Sequence, residues 1–196
     1  CCPQRWSRRK QARPEEILAA ALECFVKHGY SATRMEDIAK HAGVTKGTVY
    51  LYYANKEELL KSVVVHAVMP LIDHAELLVH EYEGTTADLL RTLVRSMWAS
   101  LKDSPVSGIE KLIIAESSNF PDLARFYMQE VVMRARQLFA NVLERGIERN
   151  EFRSLSIDSA TREIFYPLIF VSIWTNSLYK FEPKPTDLTE YIETHL

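Results

Sequence analysis

The chain has 196 residues, 47% hydrophobic and 26% charged, so it can bury a core and is neither disordered nor fibrous. Its 6 Gly and 8 Pro are too few for a turn-rich sandwich or barrel, and its three cysteines make neither a disulfide framework nor a zinc spacing. The net charge of −2 is unevenly spread: residues 1–61 carry 11 Lys+Arg against 7 Asp+Glu, whereas residues 62–196 carry 13 against 19. A small basic segment joined to a larger acidic one is the charge pattern of a nucleic-acid reader with a separate body.

The N-terminus, Cys-Cys-Pro-Gln-Arg-Trp-Ser-Arg-Arg-Lys, lacks the apolar segment of a secretory signal. The longest purely apolar stretches, such as Pro167 to Val171, fall short of the roughly 18 residues that span a bilayer. A soluble, cytoplasmic, all-α protein is the expectation. Arg5, Arg8, Arg9, Lys10 and Arg13 make residues 1–13 a basic arm, either a solvated tail or a minor-groove contact.

Pro14 opens the first helix, over about 14–28, with Ile17, Leu18, Ala21, Leu22, Phe25 and Val26 at helical spacing and Gly29 as the stop. Cys24 falls in this pattern as a small buried thiol. Thr33 and Glu36 have capping-box spacing, which predicts a second helix from Arg34 to about Ala42, carrying Met35, Ile38 and Ala39 inward. Gly43 turns the chain, Thr45 caps a third helix through Tyr53, and Asn55 with Glu58 opens a fourth. Short helices joined by a Gly-containing turn are the helix-turn-helix pattern, whose second helix enters the major groove. At about 100° per residue, Thr45, Val49 and Tyr53 share the inward side of helix three, with Gly47 and Leu51 opposite, flanked by Thr48 and Tyr50. That outward side is small, hydroxylated and aromatic, and Gly47 leaves room for close approach to DNA.

The run Gly29-Tyr30-Ser31-Ala32-Thr33, then Ile38-Ala39, Ala42-Gly43-Val44-Thr45-Lys46-Gly47-Thr48-Val49-Tyr50, Tyr52-Tyr53 and Asn55-Lys56-Glu57-Glu58-Leu59-Leu60 closely resembles the tetracycline-repressor (TetR) family of bacterial regulators. Val49, Tyr53 and Asn55 stand where that family more often has Leu, Phe and Ser, each keeping the physical role. The stretch from Glu116 to Tyr127 is similar to the C-terminal region of the family's AefR-like branch. The resemblance implies that Thr45, Lys46, Gly47 and Thr48 face the groove, that Tyr50, Tyr52 and Lys56 meet phosphates, and that Thr33 meets the DNA backbone. It also implies a homodimer on double-stranded DNA, closed by the last two long helices, and a small-molecule effector. Lys56 and the tyrosine hydroxyls independently suit phosphate contact, as do the N-termini of helices two and four.

The remainder, residues 62–196, is expected to be a helical regulatory and dimerisation domain, joined to the DNA-binding residues 14–61 by helix four. Helix four continues through Val63, Val64, Ala67 and Leu71, with Pro70 kinking or breaking it. Further helices are predicted at about 86–103, 107–119, 121–150 with a break near Tyr127, 158–180 and 187–195. Phe165 to Trp174 is apolar all round and must be covered on every side, which makes 134–146 and 162–176 the candidate dimer surfaces. Trp98, Glu116, Asn119, Phe120, Phe170 and Trp174 are candidates to line a cavity for an apolar or aromatic ligand.

No G-x-S-x-G, H-E-x-x-H or G-x-G-x-x-G occurs, and the histidines at 66, 74 and 80 are badly spaced for joint ligation, so no enzyme, cofactor or metal is expected. The competing readings are a helical small-molecule carrier or enzyme that uses the N-terminal helices as scaffold, and a protein-interaction module using 165–174.

Overall fold

The computed structural model describes residues 14–102, 106–184 and 187–195. The basic arm, Cys1 and Cys2 lie outside them. Among the described residues every regular element is helical: α1 (Pro14–His28), α2 (Met35–His41), α3 (Lys46–Tyr52), α4 (Lys56–Glu81), α5 (Thr86–Leu101), α6 (Ser107–Glu116), α7 (Pro121–Tyr127), α8 (Met133–Glu148), α9 (Ile157–Thr175) and α10 (Leu188–His195). A π-helical turn, Met128–Val132, joins α7 to α8, and a 3-10 turn spans Tyr179–Phe181.

Local chemistry sets the N-terminal boundaries. Gly29 at φ +84° ends α1, its N–H donating to the Phe25 carbonyl at 2.9 Å, and Gly43 at φ +69° makes the turn between α2 and α3. Thr45 Oγ1 accepts the Thr48 N–H at 3.2 Å, and Asn55 Oδ1 accepts the Glu58 N–H at 2.8 Å, as their spacing predicts. The Thr33–Glu36 box does not form. Arg34 is the N-cap of α2 and its N–H donates to Asp37 Oδ2 at 3.1 Å, because Thr33 is buried and its hydroxyl is engaged elsewhere.

Burial joins the helices into one continuous apolar cluster from Ile17 in α1 to Ile192 in α10. Ile17, Ala21 and Phe25 are fully buried, and each large apolar side chain withdrawn in this way contributes about 1.5–3 kcal/mol. Cys24 is buried too, and that burial pushes its thiol pKa up. Val26 stays 40% exposed, yet it leans on Gly108 of α6, where an added Cβ would come within 2.6 Å of it.

Helix α4 packs on α1 near one end and on α5, α7 and α8 along the rest, and runs unbroken through Pro70, which lies on its exposed side with His66. At 26 residues, with a mean hydropathy of 1.5 in its most apolar stretch, α4 is long and apolar enough to cross a membrane, although no unbroken apolar run in the sequence is. Its buried residues, from Leu59 to Ile72, belong to the common core.

In the body, the expected helix over 121–150 is continuous apart from the wider π turn at Met128–Val132. The helices expected to reach 103, 119 and 180 stop at Leu101, Glu116 and Thr175. Just beyond α8, Asn150 takes φ +58°, and the N–H groups of Glu151 and Phe152 donate to the Gly146 carbonyl at 2.9 and 3.0 Å. The Phe152 ring lies so close over Gly146 that no Cβ would fit there. Phe139 of α8 meets Phe165 of α9 edge-on at 6.1 Å. Helix α9 buries Phe165, Leu168 and Val171 but leaves Tyr166 at 47% and Phe170 at 60% exposed, so only one side of this apolar helix is covered.

Candidate nucleic-acid interface and effector cavity

Helix α3 is held by one buried residue, Val49, with Tyr53 just beyond its end. Thr45, expected inward with them, is exposed because its side chain folds over the helix end it caps, where Oγ1 also lies 2.9 Å from the Thr48 hydroxyl. Lys46 is exposed. It pairs with Glu36 of α2 and sits 5.5 Å above the Tyr50 ring, and the pair raises the Lys46 pKa and lowers that of Glu36. Gly47 faces open space apart from Thr45 Oγ1, 3.8 Å from a hypothetical Cβ, so the fold itself does not require a glycine there. Tyr50, Leu51 and Tyr52 are exposed at 44%, 78% and 40%. Two tyrosines that could have packed in the core therefore point outward on a face with two threonines, a lysine and a glycine.

Thr33 and Lys56 do not join that face. Thr33 is 2% exposed and its hydroxyl donates to the carbonyls of Gly29 at 2.7 Å and Cys24 at 3.2 Å, closing the C-terminus of α1. Lys56 donates to the carbonyls of Tyr30 at 2.7 Å, Thr33 at 2.9 Å and Ser31 at 3.3 Å, which takes all three ammonium protons. Its Nζ also lies 4.4 Å from the Tyr30 ring centroid, and burial lowers its pKa. Instead of standing free for phosphate, both side chains tie the α1–α2 corner to its neighbours. Their partners lie up to 26 residues away, beyond what local spacing encodes.

The expected cavity residues do not converge. Glu116 accepts from the Ser31 N–H at 3.1 Å and its hydroxyl at 2.9 Å, Asn119 lies 3.4 Å from the same carboxylate, and the Phe120 ring meets Tyr30 edge-on at 4.7 Å. These three join α6 and its C-terminal end to the N-terminal helices. The bonds to Ser31 and Asn119 and the charge of Lys56 hold the Glu116 pKa down against desolvation. Phe170 and Trp174 stack on each other at 5.8 Å on the outer side of α9, and Trp98 is buried in the core away from the cavity.

The cavity lies elsewhere in the body and measures about 320 Å³, within the range of small-molecule sites. Its walls are largely aliphatic: Val68 and Ile72 from α4, Leu93 and Met97 from α5, Ile113 from α6 and Leu138 from α8. The π turn contributes Met128, Val131 and Val132. Glu110 and Tyr127 also line it, both buried, and each acts on the other's titration. Desolvation pushes the Glu110 carboxyl up to about 7 and the Tyr127 hydroxyl well above its usual range. A signal for Glu110 exists in the sequence: it is a lone carboxylate three and four residues before Ile113 and Ile114, on the apolar face of its helix. Among the described residues no cluster of metal-ligating side chains occurs.

Residues 17–63 match the sequence profile of the bacterial regulatory proteins of the tetR family, and residues 88–193 match that of the AefR-like transcriptional repressor C-terminal domain. The chain is 28% identical to the fatty acid metabolism regulator protein of Bacillus subtilis over 159 residues, 80% of each chain. It is also 28% identical to the HTH-type transcriptional repressor KstR2 of Mycobacterium tuberculosis over 156 residues, 78% of this chain and 76% of that one. The solved structure of the fatty acid degradation regulator FadR from Bacillus halodurans superposes with a TM-score of 0.78 at 26% identity, covering 96% of this chain and 94% of that chain.

Proposed function

Since the chain belongs to the TetR family of DNA-binding transcriptional regulators, with an AefR-like C-terminal domain and no enzymatic role, we propose that it is a homodimeric repressor of a palindromic operator, released by an apolar or aromatic effector. Thr45, Lys46, Gly47 and Thr48 are the residues proposed to enter the groove, with Tyr50 and Tyr52 on phosphates. The free space at Gly47 supports this, because the groove wall would occupy it.

The observation that carries the ligand response is that α6 serves two neighbours. Glu110, Ile113 and Ile114 of this helix line the cavity, while Gly108 supports Val26 of α1 and Glu116 holds Ser31. A molecule that fills the cavity and shifts α6 drags the N-terminal helices with it. Helix α4 provides the second connection. The effector must fit the DNA-incompetent arrangement better than the competent one, and about 3 kcal/mol of such difference lowers operator affinity on the order of 100-fold. The relatives that regulate fatty acid metabolism favour an occupant with an alkyl chain.

The dimer is assigned to α8 and α9 with their symmetry copies, which would cover Tyr166 and Phe170 and place two recognition helices about 34–36 Å apart. The test is selection from a random duplex pool followed by titration of the recovered site. A palindrome bound by a dimer, and released when an apolar compound enters the cavity, is the expected result. Equal affinity of a monomer for a half-site and the full site would sink the dimer, and cavity occupancy without release would sink the ligand response.

A further inference from the structure

Among the described residues lining the cavity, one buried side-chain polar atom has no hydrogen-bond partner. Oε2 of Glu110 is buried and has no hydrogen-bond partner, and the residue as a whole is 5% exposed. An unpaired buried oxygen costs roughly as much as a lost hydrogen bond, so it marks a position where a partner is missing. Two of the lining hydroxyls are spent within their own helical stretch: Ser100 donates to the Ser96 carbonyl at 2.9 Å and Ser117 to the Ile114 carbonyl at 2.8 Å. No Lys, Arg or His is among the described residues lining the cavity.

Building on the effector reading above, we propose that the effector is an apolar molecule bearing one hydrogen-bond-donating group, a hydroxyl or an ammonium, that docks against Oε2 of Glu110. The aliphatic walls take the hydrocarbon part. Above about pH 7, where the carboxyl is ionised and only accepts, a donor satisfies the orphaned oxygen, whereas an acceptor-only head leaves it unpaired, so the probes are compared on that side of the titration. A free carboxylate fares worst, since it would enter a site without a counter-charge and face a carboxylate that burial already destabilises. The relatives' link to fatty acids thus accounts for the chain and not for an acid head.

The test uses the full-length protein and four probes of matched length: decanol, decylamine, nonyl methyl ether and decanoate. Calorimetry and tryptophan fluorescence report binding, and release of a fluorescent operator duplex is read in parallel. Decanol or decylamine is expected to bind on the order of ten-fold more tightly than the ether. The advantage should vanish in Glu110→Leu, whose folding is checked by thermal melting, and the wild-type series stands without it. Glu110→Gln keeps an acceptor oxygen but loses the charge, so it retains a preference for decanol and loses one for decylamine, which tells the two donors apart. Equal binding of ether and donor, tight binding of decanoate, survival of the preference in Glu110→Leu, or no binding of any probe overturns the proposal. If the ether or decanoate binds and releases DNA, the repressor reading survives and only the Glu110 anchor falls. If a donor binds through Glu110 and the operator stays bound, the anchor survives and the ligand-response reading falls.

Discussion

In the N-terminal helices Thr33 is buried, Lys56 is half-buried, and the side-chain donors of both are spent on backbone carbonyls. In the body Thr86, Trp98, Glu110, Thr161 and Ser172 are buried with a polar atom that has no partner, and among the described residues all such atoms lie at Thr86 or beyond. On the proposed reading, the difference follows from the two tasks. A surface that meets a highly charged duplex must hold short helices at fixed positions, and helices of seven residues cannot do so by propensity, so side-chain locks do it. A region that accommodates an apolar guest instead keeps an aliphatic lining and leaves few polar bonds to be broken when it rearranges.

Four measurements break or sharpen this contrast. The largest effect is expected at Phe139, 1% exposed between α8 and the cavity: Phe139→Ala should cost about 3–5 kcal/mol in urea denaturation with an unchanged slope. A much smaller loss would mean that the cavity wall collapses to fill the hole and is softer than its packing implies.

Next comes Glu110. Its folded pKa of about 7 lies above the ordinary 4.5, so between those values the folded state binds more protons than the unfolded state. Its contribution is fully present below about pH 4.5 and is lost as pH rises through about 7. Tyr127 is the ionisable group acting on it. Glu110→Gln, which cannot charge, should therefore gain on the wild type as pH rises, by roughly 3 kcal/mol at most above neutrality. Unfolding midpoints that stay parallel from acid to mildly alkaline pH would show the carboxyl to be solvated.

On the N-terminal side, Lys56→Ala should destabilise the protein by roughly 1.5–3 kcal/mol and leave the salt slope of DNA binding unchanged, because its ammonium is held by carbonyls. A slope reduced by about 1 with unaltered stability would return Lys56 to a phosphate. The smallest change in stability belongs to Lys46→Ala. Its ion pair with Glu36 is exposed, so the unfolding midpoint should not move, while base preference at one operator position weakens on the order of ten-fold. Unchanged preference over a mutated operator series would place Lys46 on the backbone.

Legibility in the sequence follows the range of the interactions. Gly29, Gly43, Thr45 and Asn55 act on atoms within four residues of themselves, and residue type and spacing therefore identify the helix-turn-helix. The family resemblance puts Lys56 and Thr33 on the DNA backbone, but their partners within the chain come from a corner that only tertiary packing creates. The cavity was the least accessible. Aromatic side chains suggested its walls, whereas the packed helices bring together Val68, Ile72, Leu93 and Met97, ordinary core residues by periodicity. Helical periodicity says which face is apolar; it does not say where facing helices leave a gap.

The π turn at Met128–Val132 bears on how such a protein can diversify. It holds one residue more than a regular helical path needs, and successive α-helical residues are about 100° apart. Loss of a single codon in this stretch would restore an ordinary helix from Pro121 onward. The side chains before the deletion would rotate by about that angle relative to α8, carrying Tyr127 out of register with Val131 and presenting a different neighbour to Glu110. A length change that would wreck a regular helix is here absorbed by the bulge, leaving α8 and α9 on their own packing while the chamber acquires new chemistry. Relatives that differ by one residue in this stretch can therefore share the fold and the DNA reader and still answer to unrelated molecules.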